Sequence, residues 1–320
     1  MQSAEAIRER MEMEYREHRV PRGEHFIYAR EYEGEGPAII PMHGFPDNLH
    51  LYDRVAPLLF EAGRRVVVFD FLGWGRSDKP GGYPYTANNQ ARDFDAVIEH
   101  LKLESVVPVA HDASGPPAID WAMWNRDRVA ALILLNTYYS PMPTLRVPEV
   151  IRLFSTPVAR DAARFVVSRM QERFQWVYRW QVRKFFKDEE ATEEFVRVFW
   201  EQMEAEQSSF PPLFSLTADL RTTIKSRAGA TDSLSKFEWP VRIIFGAEDP
   251  YLNTGVAKSF HALFPASELF LLPEAGHFPQ LDDPGEVARL ILSTPLGRAA
   301  VPGGRAVETV VEQGQSLRQI

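Results

Sequence analysis

The sequence predicts an α/β fold with a mostly parallel central sheet flanked by helices, and three observations carry the prediction. Short apolar runs alternate with amphipathic stretches from about Arg19 to Leu135, the rhythm stops after Asn136, and it resumes at Val241. Alternating strand and helix signals specify parallel strands joined by helical crossovers. An interruption whose two ends rejoin the same pattern is an insertion.

Each element follows from its residues. Ala38–Met42, Val66–Phe69, Val106–Ala110 and Ala131–Leu135 are apolar runs of strand length, as strands covered on both faces must be. Between them Tyr52–Ala62 and Ala91–Leu103 carry apolar residues at helical spacing and serve as right-handed crossovers. Pro141, Pro143 and Pro148 then precede a region rich in Arg, Phe, Trp and Glu that runs to about Phe237 without a clear strand. Strand-like runs return at Val241–Phe245 and Leu269–Leu272, separated by an amphipathic helix over Thr254–Leu263. The core is therefore expected over 19–136 and 238–296, and a helical cap subdomain over 137–237. The cap should lie on the carboxyl edge of the sheet, where open α/β sheets bind ligands. Residues 1–18 are expected to form an N-terminal extension and 297–320 a mobile tail.

Composition excludes several functions. The net charge of −8 is spread along the 320 residues without a Lys/Arg stripe, so nucleic acid is not an expected partner. With no cysteine there is no disulfide, thiolate metal site or cysteine nucleophile. Met1–His18 has no apolar stretch before a cleavage site, and no apolar run is long enough to span a bilayer. A cytoplasmic protein without a membrane partner is expected, its oligomeric state open. Asp282 and Asp283 precede Pro284 and read as helix-capping residues; with no His at metal spacing, neither a metal nor a cofactor is expected.

The chemistry centres on Val106–Gly115, VVPVAHDASG, a buried strand running into a tight turn. Asp112 stands at its centre, with Ala110 two residues before and Ser114 two after. A nucleophile on such an elbow needs small residues at those flanks, because the turn brings its backbone against neighbouring strands. Ser114, the rival nucleophile, would place Asp112 and Pro116 at the positions that should be small. The competing reading of Asp112 is a cap for the helix near Pro116. His43-Gly44-Phe45-Pro46 follows another strand, and the amides of Phe45 and Ala113 would form an oxyanion hole, each donor contributing roughly 3 kcal/mol. His43 and Pro46 can also be turn chemistry alone. Phe69–Asp78 matches no nucleotide-binding spacing.

Gly246-Ala247-Glu248-Asp249-Pro250 and Gly276-His277-Phe278 each follow a strand. Nucleophile, acid and histidine thus occur in the order of a hydrolase triad, with Glu248 the alternative to Asp249 as the acid.

Together HGFP, DFLGWGRSDKP, HDASG, GAEDP and AGHFPQLDDP resemble the α/β-hydrolase superfamily over about Arg19 to Leu296. They are most similar to its epoxide hydrolase and haloalkane dehalogenase branch, whose elbow carries Asp after His, as in His111-Asp112. The resemblance implies an α/β-hydrolase fold and a covalent alkyl-aspartyl ester, made by Asp112 and hydrolysed by water that His277 activates. Dehalogenases of this branch hold the halide with a Trp after the nucleophile and an Asn after the His-Gly pair or a cap Trp. This chain has Ala113 and Phe45 at the first two places, leaving Trp176 and Trp180 as substitutes; their i,i+4 spacing also fits the apolar underside of the cap. Epoxide hydrolases of the branch use cap tyrosines as proton donors. Arg146–Arg169 has none, which leaves Tyr138, Tyr139 and Tyr178, unless they only pack; His43 and His111 complete the pocket candidates. The readings rank as an epoxide hydrolase acting on a small apolar substrate, then a dehalogenase with an atypical halide site, then a non-catalytic binding module. An esterase is disfavoured because an aspartate elbow forms an anhydride with acyl substrates.

Overall fold

The computed structural model describes residues 15–297 except 168, 187, 188, 206 and 207. Eight strands form one sheet: β1 Tyr15–Arg22, β2 His25–Tyr32, β3 Glu35–Met42, β4 Arg64–Phe69, β5 Val106–Asp112, β6 Leu132–Thr137, β7 Val241–Gly246 and β8 Ser267–Leu272. Their spatial order is β1-β2-β4-β3-β5-β6-β7-β8, with β1 and β2 antiparallel and every pairing from β4 to β8 parallel. The central strands β5, β6 and β7 are buried almost throughout, which is why they read as continuous apolar runs.

The expected N-terminal extension needs correction, because Tyr15–His18 belong to β1. That strand is a mostly exposed edge strand dense in charge, so it carries no apolar alternation to read. Glu17, His18, Glu31 and Arg65 instead tie β1 and β2 to β4 through polar contacts: His18 Nε2 lies 2.8 Å from Glu31 Oε2, and Arg65 Nε donates to Glu31 Oε1 over 2.9 Å. The expected mobile tail lies outside the described residues from 298 onward.

Helices α1 Ala56–Glu61, α2 Ala87–His100 and α3 Gly115–Trp124 fall within the first core segment. The helix expected over Tyr52–Ala62 splits into a 3₁₀ turn, Leu49–Tyr52, followed by α1. Helix α2 starts four residues before the expected Ala91, where the Thr86 hydroxyl accepts from the Asn89 amide and caps it. Five helices of six residues or more separate β6 from β7: α4 Glu149–Phe154, α5 Pro157–Val167, α6 Gln171–Val182, α7 Glu189–Glu204 and α8 Phe210–Ser226; a single turn, Thr231–Leu234, follows them. Their inward aromatics, Phe154, Phe174, Trp200, Phe210 and Phe214, pack on one another with ring centroids 5.3–6.3 Å apart. Helices α9 Thr254–Leu263 and α10 Pro284–Leu292 complete the core; no helix of the described residues is long and apolar enough to cross a membrane.

Two contacts fasten this helical layer over the sheet. Gln202 of α7 accepts from the Gly75 amide at 2.8 Å and donates to the Pro46 carbonyl at 2.7 Å, joining the two loops that follow β3 and β4. Arg227 donates to the Asp120 carboxylate, pinning the end of α8 to α3.

Candidate active site

The elbow is built by β5 ending at Asp112, whose φ of 46° is in the left-handed region that a non-glycine residue occupies at a cost. This turn projects the carboxylate into a cavity between sheet and helices that it shares with Phe45, Ala113, Tyr138, Tyr178 and His277. Close approach is enforced at two glycines. A Cβ on Gly44 would meet Asp112 Cβ at 2.7 Å, and one on Gly115 would meet Thr137 Oγ1 at 2.1 Å.

The small flanks expected of the elbow are present, but Ser114 fits for a polar reason. It is fully buried, accepts from the His111 amide at 2.8 Å, and its hydroxyl faces the carbonyls of His111 and Met42 at 2.7 and 3.0 Å. It is locked into backbone and is not a nucleophile. Nor does Asp112 cap α3, whose N-cap position is Ser114.

The Phe45 amide donates to Asp112 Oδ2 over 3.0 Å, and the Ala113 amide also hydrogen-bonds the carboxylate. The carboxylate therefore already receives two backbone donors. Burial raises the pKa of Asp112, against the lowering effects of His277 and the two amides.

His277 Nδ1 lies 2.7 Å from Asp249 Oδ2. Glu248, the alternative acid, is exposed, whereas Asp249 is buried. Asp249 Oδ1 accepts from the amides of Tyr251 and Leu252 at 2.8 and 3.0 Å, and Oδ2 also accepts from Asn136 Nδ2 at 3.1 Å. Burial pushes Asp249 up, but His277 and the amides outweigh it and hold the carboxyl below its usual value. For His277 burial lowers the pKa, yet Asp249, Asp112 and Asp47 outweigh it and lift the imidazole to about 9. Phe185 stacks on its ring with centroids 4.5 Å apart.

The other candidates divide. Tyr138 and Tyr178 line the cavity, and the buried Tyr178 hydroxyl has no hydrogen-bond partner among the described residues. Tyr139 does not line it: its hydroxyl donates to Asp120 Oδ1 over 2.8 Å, because α3 and Arg227 place a buried carboxylate behind β6. His43 is also structural. Its Nε2 accepts from the Phe71 amide at 3.1 Å and Nδ1 faces the Gly44 carbonyl at 2.8 Å, fixing the loop that carries Phe45. His111 lies behind the cavity wall, with Nε2 2.9 Å from the His277 carbonyl oxygen. Trp176 and Trp180 are neither halide donors nor the underside of the helical layer: they are 70% and 43% exposed, because α6 turns Phe174, Tyr178 and Val182 inward instead. Asp283 caps α10 by accepting from the Glu286 amide, while Asp282 accepts from the Gly276 amide and braces the His277 loop.

Three residues that matter here were not legible from the motifs. Asn136 appears in sequence only as the residue that follows an apolar strand run, yet it bonds Asp249 and accepts from the Gly246 amide at 2.7 Å. Gln202 has no motif context at all. Asp47, next after HGFP, is buried with neither carboxylate oxygen hydrogen-bonded among the described residues. Burial, reinforced by the charge of Asp112, pushes its pKa to about 8.

This geometry accords with the comparisons. Residues 37–284 match the alpha/beta hydrolase fold family, and the chain belongs to it. A haloalkane dehalogenase of Mycolicibacterium paratuberculosis is 30% identical over 281 residues, covering 83% of this chain and 86% of that protein. Among solved structures, the haloalkane dehalogenase DatA of Agrobacterium tumefaciens superposes with a TM-score of 0.70 at 24% identity, covering 87% of this chain and 95% of that one. The epoxide hydrolase CorEH does so at 0.70 and 22%, covering 87% and 98%. Within the family the chain falls in the branch of dehalogenases and epoxide hydrolases, and it is a hydrolase.

Proposed function

We propose that the protein is an epoxide hydrolase that opens an apolar epoxide to a diol through an ester on Asp112. The observation that carries this reading is the buried Tyr178 hydroxyl, which lines the same cavity as Asp112 and has no other partner among the described residues. A proton donor facing a nucleophile across an apolar cavity suits a leaving oxygen that stays attached to the substrate. A departing halide is held in this branch by Trp or Asn N–H groups, and neither residue lines the cavity; of the side-chain N–H donors that do, Gln181 is engaged with the Tyr251 hydroxyl at 3.1 Å and Arg146 sits where the cavity meets an adjoining groove.

With Oδ2 held by the Phe45 amide, Oδ1 is the oxygen that attacks the epoxide carbon. The carbon–oxygen bond breaks, and the ring oxygen takes a proton from Tyr178; Tyr138 lines the same cavity. His277 then removes a proton from water, which adds to the aspartyl carbonyl carbon. The oxyanion on Oδ2 is stabilised by the Phe45 and Ala113 amides, and its collapse expels the diol oxygen, which takes the proton held by His277, while the proton of the regenerated Asp112 carboxyl returns to Tyr178 and restores the carboxylate. The charge of Asp112 is one cause of the high His277 pKa, so forming the neutral ester lowers that pKa and readies the imidazole as a base.

The second reading, a haloalkane dehalogenase, is favoured by the relative at 30% identity. Incubation with epoxide and haloalkane panels, following diol and free halide with Asp112→Asn as control, separates the two. Diol without halide supports the proposal; halide release lost in Asp112→Asn replaces it with the second reading, and unchanged turnover in that variant removes Asp112 from the mechanism.

A further inference from the structure

The catalytic cavity does not end at its apolar walls. Arg146, Leu220 and Tyr251, with three apolar neighbours, also line an adjoining groove between the helical layer and the loop after β7. That groove adds Arg152, Lys184 and Arg221, so four cationic side chains border it against one carboxylate, Glu149. Glu149 is already engaged: its Oε2 accepts from Lys184 Nζ at 2.9 Å and from the Tyr251 hydroxyl at 2.7 Å, and these bonds hold its pKa at about 2. Arg146, Arg152 and Arg221 have no ion-pair partner among the described residues, and Arg221 Nε donates only to the neutral Ser155 hydroxyl at 3.2 Å. In a chain of net charge −8, an uncompensated basic groove that shares walls with the nucleophile's cavity is a local inversion of charge.

The geometry points to a substrate that is an amphiphile: an apolar body carrying the reactive carbon in the cavity, and an anionic head group in the Arg146–Arg152–Arg221 groove. This rests on the epoxide hydrolase reading for the reactive end alone. Guanidinium groups supply paired donors for a carboxylate or phosphate, and Tyr251, on the wall between the two spaces, has its hydroxyl occupied by Glu149 and Gln181.

The test uses two epoxides with the same alkyl chain, one ending in a carboxylate and the other in a primary alcohol. At low ionic strength KM for the acid should be about tenfold below that for the alcohol, the scale of a few exposed ion pairs acting together. The ratio should approach one in about 0.5 M salt and in Arg146→Gln/Arg221→Gln. Equal KM values in the unmodified protein, or a preference that survives the double substitution, would overturn the proposal. If neither epoxide is turned over, the epoxide hydrolase reading fails separately; titration with the unreactive saturated acid and alcohol then decides the groove, because tighter, salt-sensitive and arginine-dependent binding of the acid is still required.

Discussion

The His111 ring reaches the backbone of His277 as well as its ring: Nε2 lies 2.9 Å from the carbonyl oxygen of His277, and the two rings meet edge to face with centroids 5.0 Å apart. The residue beside Asp112, the proposed nucleophile, thus fixes the loop that carries His277, the proposed base. Burial, with the nearby His277 charge, depresses the His111 pKa to about 3, so the ring is neutral and Nε2–H donates to that carbonyl. His111→Phe should leave the buried carbonyl unpaired, costing about 1–3 kcal/mol of stability. Denaturant unfolding measures that loss, and a lower kcat with little change in KM would mark the displaced base. Unchanged stability would mean that the bond contributes nothing.

Tyr178 and Tyr139 should respond oppositely to loss of the hydroxyl. Tyr178→Phe removes a group with no structural partner among the described residues, so stability should hold while kcat for ring opening falls by about 10²–10⁴, the range for a positioned acid. Tyr139→Phe breaks its bond to Asp120 and should lower stability with kcat nearly unchanged. Single-turnover kinetics beside thermal melts separates the two, and a kcat loss confined to Tyr139→Phe would reverse the assignment.

What the sequence revealed and what it hid have a common physical cause. Residues whose identity is dictated by backbone geometry were legible: Asp112 at a strained turn with small residues at its flanks, and Asp249 and His277 just after parallel strands. Residues whose role depends on which way a helix is turned were not. Trp176, Tyr178 and Trp180 share one short stretch of α6, and only the packing of Phe174 and Val182 decides that Tyr178 faces the cavity while both indoles face solvent. Tyr138 and Tyr139 are adjacent, and the Asp120–Arg227 pair that claims the second is assembled from residues 107 positions apart. β1 was missed because an edge strand need not be apolar.

Gly44→Ala tests whether the oxyanion loop must approach the nucleophile as closely as it does. The added methyl would stand 2.7 Å from Asp112 Cβ and 3.1 Å from Oδ2, so the loop has to retreat and the Phe45 amide with it. Loss of one oxyanion donor lowers kcat by about 10²–10³. Since the amide stabilises the step in which the ester is broken down, intact-mass analysis should show the alkylated enzyme accumulating during turnover. A variant that hydrolyses its ester at the original rate would show that the Phe45 amide is dispensable.

Asp47 and His277 are two of the groups that set how stability depends on pH. His277, raised from about 6.5 unfolded to about 9, contributes stability fully present below the unfolded value and lost as pH rises through 9. Asp47, raised from its ordinary acidic range to about 8, is protonated in the folded state where the unfolded chain would release the proton. Its contribution is therefore also lost as pH rises, over the window from about 4 to 8. Asp47→Asn keeps the shape and removes the titration, so the decline in unfolding free energy from pH 5 to pH 8 should be shallower than in the parent by about 2–4 kcal/mol. Urea unfolding at those two pH values measures it, and parallel declines would show that Asp47 does not hold its proton. The same substitution leaves Asp249 and Asp112 in place, so the part of the decline that belongs to His277, between about pH 6.5 and 9, should persist, reduced only by the loss of the Asp47 charge.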